Sequence, residues 1–258
     1  MTTTLQDDGK TEPLSMRPAT GIFRPLGFWA SLLWFVIALV VSFVAGVLLV
    51  VLVLFVTNAD VGGLKDEIRF EISLIVNPIS VLVFTGVLVW AVRRIKWLAR
   101  DYFAVVSPTR RALVLAFIGA CGFVLIDQLL SLYIGTDWSG SGASLTRFRA
   151  ARAGGAALLA LYCLYMVVVA PITEEIAFRG FLYRGWSLPP LGPPSAIVLT
   201  AAAFGAVHAT YSWLGMLFVG ASALFFGWLR WRSDSIIPSM LSHATINVAA
   251  LISFALEA

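Results

Sequence analysis

Charge is what this sequence has least of. Only 12% of its 258 residues are Asp, Glu, Lys or Arg, against about 25% in a soluble globular domain. The 60% hydrophobic content leaves too little polar surface for a water-soluble fold. Cysteine is nearly absent too. Cys121 and Cys163 each sit in an apolar run and read as buried free thiols, so a disulfide framework and a CxxC metal motif are excluded. There are two histidines, His208 and His243, and neither lies in a tail or a loop. No HExxH occurs, which excludes the usual zinc-protease helix. The net charge of +4 is modest, and its basic residues cluster in short connections between apolar runs. That distribution marks membrane topology and no nucleic-acid partner.

What is present is a series of apolar runs. They predict an all-α, polytopic transmembrane helical bundle of about seven to eight helices. Residues 1–27 read as a disordered cytoplasmic tail, 28–154 as N-terminal transmembrane helices, and 155–258 as a catalytic core. No cleavable signal peptide is expected, because the first apolar run starts late and is too long. The expected spans are Phe28 to Val56, Ile72 to Val92, Ala112 to Ile134, Gly155 to about Trp186, Ala196 to Thr210, Trp213 to Leu229 and Ile236 to Leu256. SGSGAS at 139–144 reads as a loop, and SLPPLGPP at 187–194 as a turn. Seven spans with the N-terminus inside put thirteen Lys and Arg inside and five outside. The positive-inside rule then favours a cytoplasmic N-terminus, with a bacterial plasma membrane the expected setting. Membrane lipids are the expected surroundings, and nothing in the sequence sets an oligomeric state.

Ionisable groups at membrane depth are costly, so each is a functional candidate. Three segments carry them: Glu174, Glu175 and Arg179 in PITEEIAFRG, His208 in AAAFGAVHAT, and His243 with Asn247 in SMLSHATINV. Counting residues from the cytoplasmic helix ends puts Glu174, His208 and His243 at depths of roughly 15, 18 and 12 Å. Matched depth predicts that they meet, in a site opening towards the cytoplasm. Glu175 and Arg179 are four apart, acid first, which predicts a helical ion pair. Glu174 points about 100° away and is the better candidate for a reactive carboxylate. Phe204 shares a face with His208, as His243 does with Asn247. Asp127, alone in the third span, reads as structural or lipid-interface rather than catalytic. A Glu–Arg pair or a lone membrane histidine is often only structural; the conjunction of all these groups at one depth is what favours a site.

A carboxylate, two imidazoles and an amide suit activation of water for attack on a carbonyl. Glu174 would take the proton. One imidazole, or a metal it binds, would position the water. The other imidazole and Asn247 would stabilise the oxyanion. Glu174, His208 and His243 are equally candidate ligands for a divalent metal such as zinc, and sequence alone does not choose between the routes.

The segments EEIAFR, FGAVH and HATIN resemble the three motifs of the CPBP family, the CAAX proteases and bacteriocin-processing enzymes, whose pattern is EExxxR, FxxxH and HxxxN or HxxxD. The resemblance covers roughly residues 155–256 and extends to the type II CAAX prenyl endopeptidases, which are similar to the Ras-converting enzyme. It implies an intramembrane endopeptidase, a hydrolase commonly labelled a metalloprotease. In it Glu174 and His208 activate water, His243 and Asn247 form the oxyanion site, and Glu175, Arg179 and Phe204 give support. The implied substrate is a peptide or a lipidated protein, cut near its C-terminus as in CAAX-type processing. Two other classes compete: a non-catalytic membrane adaptor or bacteriocin-immunity-type protein, and a transporter. The transporter is disfavoured by one proline break without a paired repeat.

Overall fold

A computed structural model describes residues 24–57, 66–135 and 138–257, without the side chains of 57 and 66–71. Most of the expected tail thus lies outside the described residues. Every described element is helical. α1 (Phe28–Thr57) and α2 (Asp66–Arg94) pack against each other. A one-turn helix, α3 (Ala99–Tyr102), precedes α4 (Arg110–Ile134). α4 begins where the Thr109 hydroxyl accepts from the backbone N–H of Ala112, a helix N-cap. α5 (Gly142–Ala153) is followed by α6 (Ala156–Trp186), α7 (Gly192–Val207), α8 (Trp213–Ser233) and α9 (Ile237–Glu257).

Six of these helices are long and apolar enough to cross a membrane: α1, α2, α4, α6, α8 and α9. The expected seventh span is α7, which has 16 residues. At about 1.5 Å per residue it extends roughly 24 Å, short of the ~30 Å hydrocarbon core. Two other expectations need correction. Helix α5 starts inside the segment SGSGAS, so the loop is shorter than predicted. Pro193 and Pro194 lie in the first turn of α7 rather than in the turn before it. A proline there gives up only an N–H that the helix start leaves unpaired anyway. The cysteines are free as expected, but Cys121 is exposed and Cys163 half-buried.

α6 is the central helix and touches α1, α2, α7, α8 and α9. α7 lies closely against α8 because both carry glycine at the crossing. A Cβ on Gly205 would stand 2.9 Å from the carbonyl oxygen of Met216 and 3.5 Å from the Cα of Gly220. Small residues at such crossings are how membrane helices gain packing contact. Gly205→Leu is therefore expected to separate the pair and lower thermal stability in detergent. An unchanged melting temperature would show that the crossing tolerates the added volume. On the outer side α1 leaves large apolar residues such as Leu33, Phe43 and Phe55 exposed, as a lipid-facing helix does.

The two ends of the bundle differ in charge. At one end Ser235 and Ile236 hydrogen-bond to Val106 and Ala104. There too Arg184 donates to the carbonyls of Asp101 and Tyr102, with its guanidinium against the Trp97 and Tyr102 rings. At the other end Ser212 binds the backbone of Trp138 and Ser139, and Arg149 the carbonyl of Glu257. Among the described residues the first end holds ten Lys and Arg: Arg24, Arg93, Arg94, Lys96, Arg100, Arg110, Arg111, Arg184, Arg230 and Arg232. The other holds four: Arg69, Arg147, Arg149 and Arg152.

Candidate active site

The sequence around the diacid does not form an ordinary helix. Pro171 lacks an N–H and its ring crowds the preceding turn. α6 relieves this by widening into a π-turn at Tyr165–Val169, where the N–H of Ala170 reaches the carbonyl of Tyr165. Ordinary α-helix resumes over Ala170–Glu175, and a second π-turn follows at Ile176–Leu182. Such widened turns recur at functional sites. Here they bracket Glu174 and Glu175.

The predicted ion pair forms. Nη1 of Arg179 lies 3.0 Å from Oε1 of Glu175, and both side chains are completely buried. Nη2 of Arg179 donates to the carbonyl of Ala223 at 2.9 Å. The guanidinium lies over the rings of Phe204 at 4.6 Å and Phe226 at 5.2 Å. Three helices thus fix one cation. The same Glu175 oxygen receives Nδ1 of His243 at 3.2 Å. Because a carboxylate only accepts, that contact places the proton on Nδ1 and turns Nε2 towards the cavity side. The His243 ring stacks on Phe226, centroids 5.4 Å apart, and meets Phe204 edge-on at 5.9 Å.

Glu174 points elsewhere, as the helical wheel predicts. Its side chain is 27% exposed, and its Oε2 is buried without a hydrogen-bond partner. That oxygen stands 3.9 Å from Nε2 of His243. The gap is too long for a direct hydrogen bond and matches the separation of two groups that share one water, each about 2.8 Å from it. His208 caps the end of α7, and its Nδ1 lies 2.8 Å from the carbonyl of Phe204. A carbonyl only accepts, so the proton is again on Nδ1. Phe204 lies between the two imidazoles, with its centroid 4.8 Å from that of His208. Nδ2 of Asn247 donates to the carbonyl of Met166 at 2.8 Å, which leaves its second N–H.

Two cavities meet at this cluster. One, of about 290 Å³, is lined by His208, His243, Asn247 and Phe204, and continues past Ser253 and Asp127 to Glu257. It therefore runs to the bundle end with fewer basic residues, where α4 and α9 finish. The opening expected on the arginine-rich side is not where this cavity leads. The other, of about 350 Å³, lies between α1, α2 and α6, and is lined by Glu174, Thr173, His208, Ser42, Asn77 and Ser80 among others. His208 borders both.

The sequence-predicted residues are thus brought together in one region, with two changes in pairing. His243 is the imidazole that stands 3.9 Å from Glu174, while His208 shares a cavity wall with it. Asn247 is tied to α6 through Met166 rather than to His243. The depth count also needs revision. Glu174 lies 12 residues from the end of α6, His208 16 from the start of α7 and His243 6 from the start of α9, or about 18, 24 and 9 Å. They meet because the helix ends are not level. Sequence reasoning missed Ala223, Phe226 and Met166. None carries a chemical signature, and only Ala223 hints at its role, since a small side chain lets Arg179 reach the backbone.

The candidate ligands Glu174, His208 and His243 suit zinc by donor type, with both Nε2 atoms available. Among the described residues, however, no three His, Cys, Asp or Glu side chains converge closely enough to hold a metal ion. The chemistry derived below therefore uses the chain's own groups.

Fold and site together define a polytopic helical membrane protein with an acid, imidazole and amide site inside the apolar zone. Residues 156–249 match the family described as Type II CAAX prenyl endopeptidase Rce1-like. The matched segment is the one that carries Glu174, His208, His243 and Asn247. No curated protein and no solved structure matches the chain.

Proposed function

We propose that this chain is an intramembrane endopeptidase that hydrolyses a peptide bond with water activated by Glu174. The observation that carries the proposal is the buried, unpartnered Oε2 of Glu174 facing Nε2 of His243, whose other nitrogen Glu175 holds. The water donates one hydrogen bond to Glu174 and one to His243. Glu174 takes its proton as the oxygen attacks the substrate carbonyl. The second N–H of Asn247 receives the developing oxyanion, and the His208 ring borders the same cavity. When the tetrahedral intermediate collapses, the C–N bond breaks and Glu174 returns the proton to the leaving amine. The products are a new carboxylate and a new amine. Roles of Glu175, Arg179 and Phe204 are to hold His243 and the neighbouring helices in place.

The family match and the site together support a peptide or lipidated-protein substrate. A quenched peptide library, offered in prenylated and unprenylated forms to the purified protein, tests this. Cleavage of a peptide by wild type supports the reading, and a wild type that binds but never cleaves would favour the adaptor class. The charge asymmetry supports an N-terminus in the cytoplasm.

Two outcomes follow. Asn247→Ala is expected to lower kcat by roughly 10²- to 10³-fold with little change in KM, the size of losing one oxyanion donor. A pure rise in KM would assign Asn247 to binding instead. Treatment with a chelator is expected to leave cleavage unchanged. Loss of activity restored by added zinc would show that Glu174, His208 and His243 close around a metal.

A further inference from the structure

The cavity beside Glu174 has a polar wall opposite the catalytic helix. It is formed by α1 and α2, which lie outside the matched residues 156–249. On α2 the lining residues Asn77, Ser80, Val81 and Phe84 share one helix face by their spacing. Ser42 on α1 joins them, but its hydroxyl already donates to the carbonyl of Leu39. Asn77 is different. It lies deep within the span Asp66–Arg94, is exposed, and its amide meets no hydrogen-bond partner among the described residues. A polar side chain at that depth is costly unless something pairs with it.

Ring contacts set the level of Asn77 in the bundle. Phe35 of α1 meets Phe84 of α2 at 5.3 Å and Phe178 of α6 at 5.5 Å, both edge-on, so Phe84 and Phe178 are level. Both α2 and α6 finish at the arginine-rich end. Counting back from the two phenylalanines, Glu174 lies about 6 Å away along its helix and Asn77 about 10 Å. Asn77 therefore stands roughly 4.5 Å further along the bundle than Glu174, on the wall of the same cavity. An extended chain advances about 3.3 Å per residue. A chain with one peptide bond at Glu174 thus brings a neighbouring peptide group to Asn77. That group needs a partner, because a bond open to attack has left its helix and lipid supplies no hydrogen bonds. An asparagine amide carries both donor and acceptor, the complement of a peptide group.

We propose that Asn77 is a substrate-positioning residue, whose amide pairs with a backbone peptide group beside the cleaved bond and so sets which bond reaches Glu174. The proposal deepens the proteolytic reading and rests on it. Its first test reads binding without turnover, so the two fail separately.

Binding is measured on the purified full chain carrying Glu174→Gln. The probe is a fluorescently labelled nonapeptide of leucine and alanine, with analogues in which one amide at a time is an ester. An ester has no N–H and a weaker acceptor oxygen but keeps the extended shape. With Asn77 present, one analogue is expected to bind about five- to tenfold more weakly than the parent, the size of one lost hydrogen bond. Asn77→Leu, close in shape, and Asn77→Ala are expected to bind the parent more weakly by the same factor. Both should also lose the distinction at that position. Their melting temperatures should be unchanged or higher, since no native hydrogen bond is removed. With Glu174 restored, the same substitutions should raise KM by a similar factor and leave kcat little changed. Analogues that bind alike with Asn77 present, or a distinction that survives both substitutions, would overturn the proposal. A lower melting temperature in both variants would make Asn77 structural and overturn it too, as would a fall in kcat with KM unmoved.

Discussion

Glu174→Gln is expected to remove at least about 10³-fold of kcat while the protein remains folded. The carboxamide keeps the shape but cannot accept a proton from water, and a positioned general base contributes about 10²- to 10⁴-fold. The fold should survive because Oε2 of Glu174 has no hydrogen-bond partner to lose. Glu174→Asp keeps the base but withdraws it by one methylene from Nε2 of His243, already 3.9 Å away. It should recover only part of the rate. Cleavage and detergent melting curves, measured on the same preparations, separate the two effects. A Glu174→Gln protein that cleaves normally would remove Glu174 from the chemistry. One that fails to fold would make it a structural residue.

The neighbouring acid is expected to behave in the opposite way. Glu175 and Arg179 are both fully buried, and the guanidinium is closed in by Phe204 and Phe226. Removing either partner strands a charge away from water, which costs about 3–5 kcal/mol. Glu175→Gln and Arg179→Met should each destabilise the protein by about that amount. The double variant should recover much of the loss, because a matched neutral pair leaves no uncompensated charge. Arg179→Lys should not rescue, since an ammonium cannot span Glu175 and the Ala223 carbonyl while lying flat on two rings. Reversible unfolding in mixed micelles measures this. If the double variant were as unstable as the sum of the singles, the pair would not be the source of the energy. Glu175→Gln should also loosen His243, whose Nδ1 it holds, so its activity should fall beyond what stability explains.

The contrast between adjacent glutamates was legible in the sequence, because acid and base four apart on a helix face each other while the next residue turns about 100° away. The apolar runs were legible for a similar reason: lipid demands an uninterrupted apolar stretch, and charge marks where it stops. Less was legible where the backbone departs from regular geometry. The two π-turns around Pro171 leave no mark in composition beyond the proline itself. The meeting of Glu174 with His243 depends on where each helix begins relative to its neighbours, which a residue count along single helices does not hold. Depth counting reached the right gathering of residues, but helix ends at different levels moved the individual depths. Helix α5 was missed because Gly and Ser at its start read as loop, although eight of the eleven helix residues after Gly142 are Ala, Leu or Arg, all good helix formers. The direction of the cavity depended on packing between α4, α8 and α9 and was not available from any one of them.

The most direct measurement is mass spectrometry of the peptide products formed by purified protein in water enriched in oxygen-18. If Glu174 activates water, wild type yields a fragment with one heavy oxygen in its new C-terminal carboxylate, and Glu174→Gln yields no fragment. A folded wild type that yields no fragment from any peptide, or a Glu174→Gln protein that yields the labelled fragment at the wild-type rate, would contradict it.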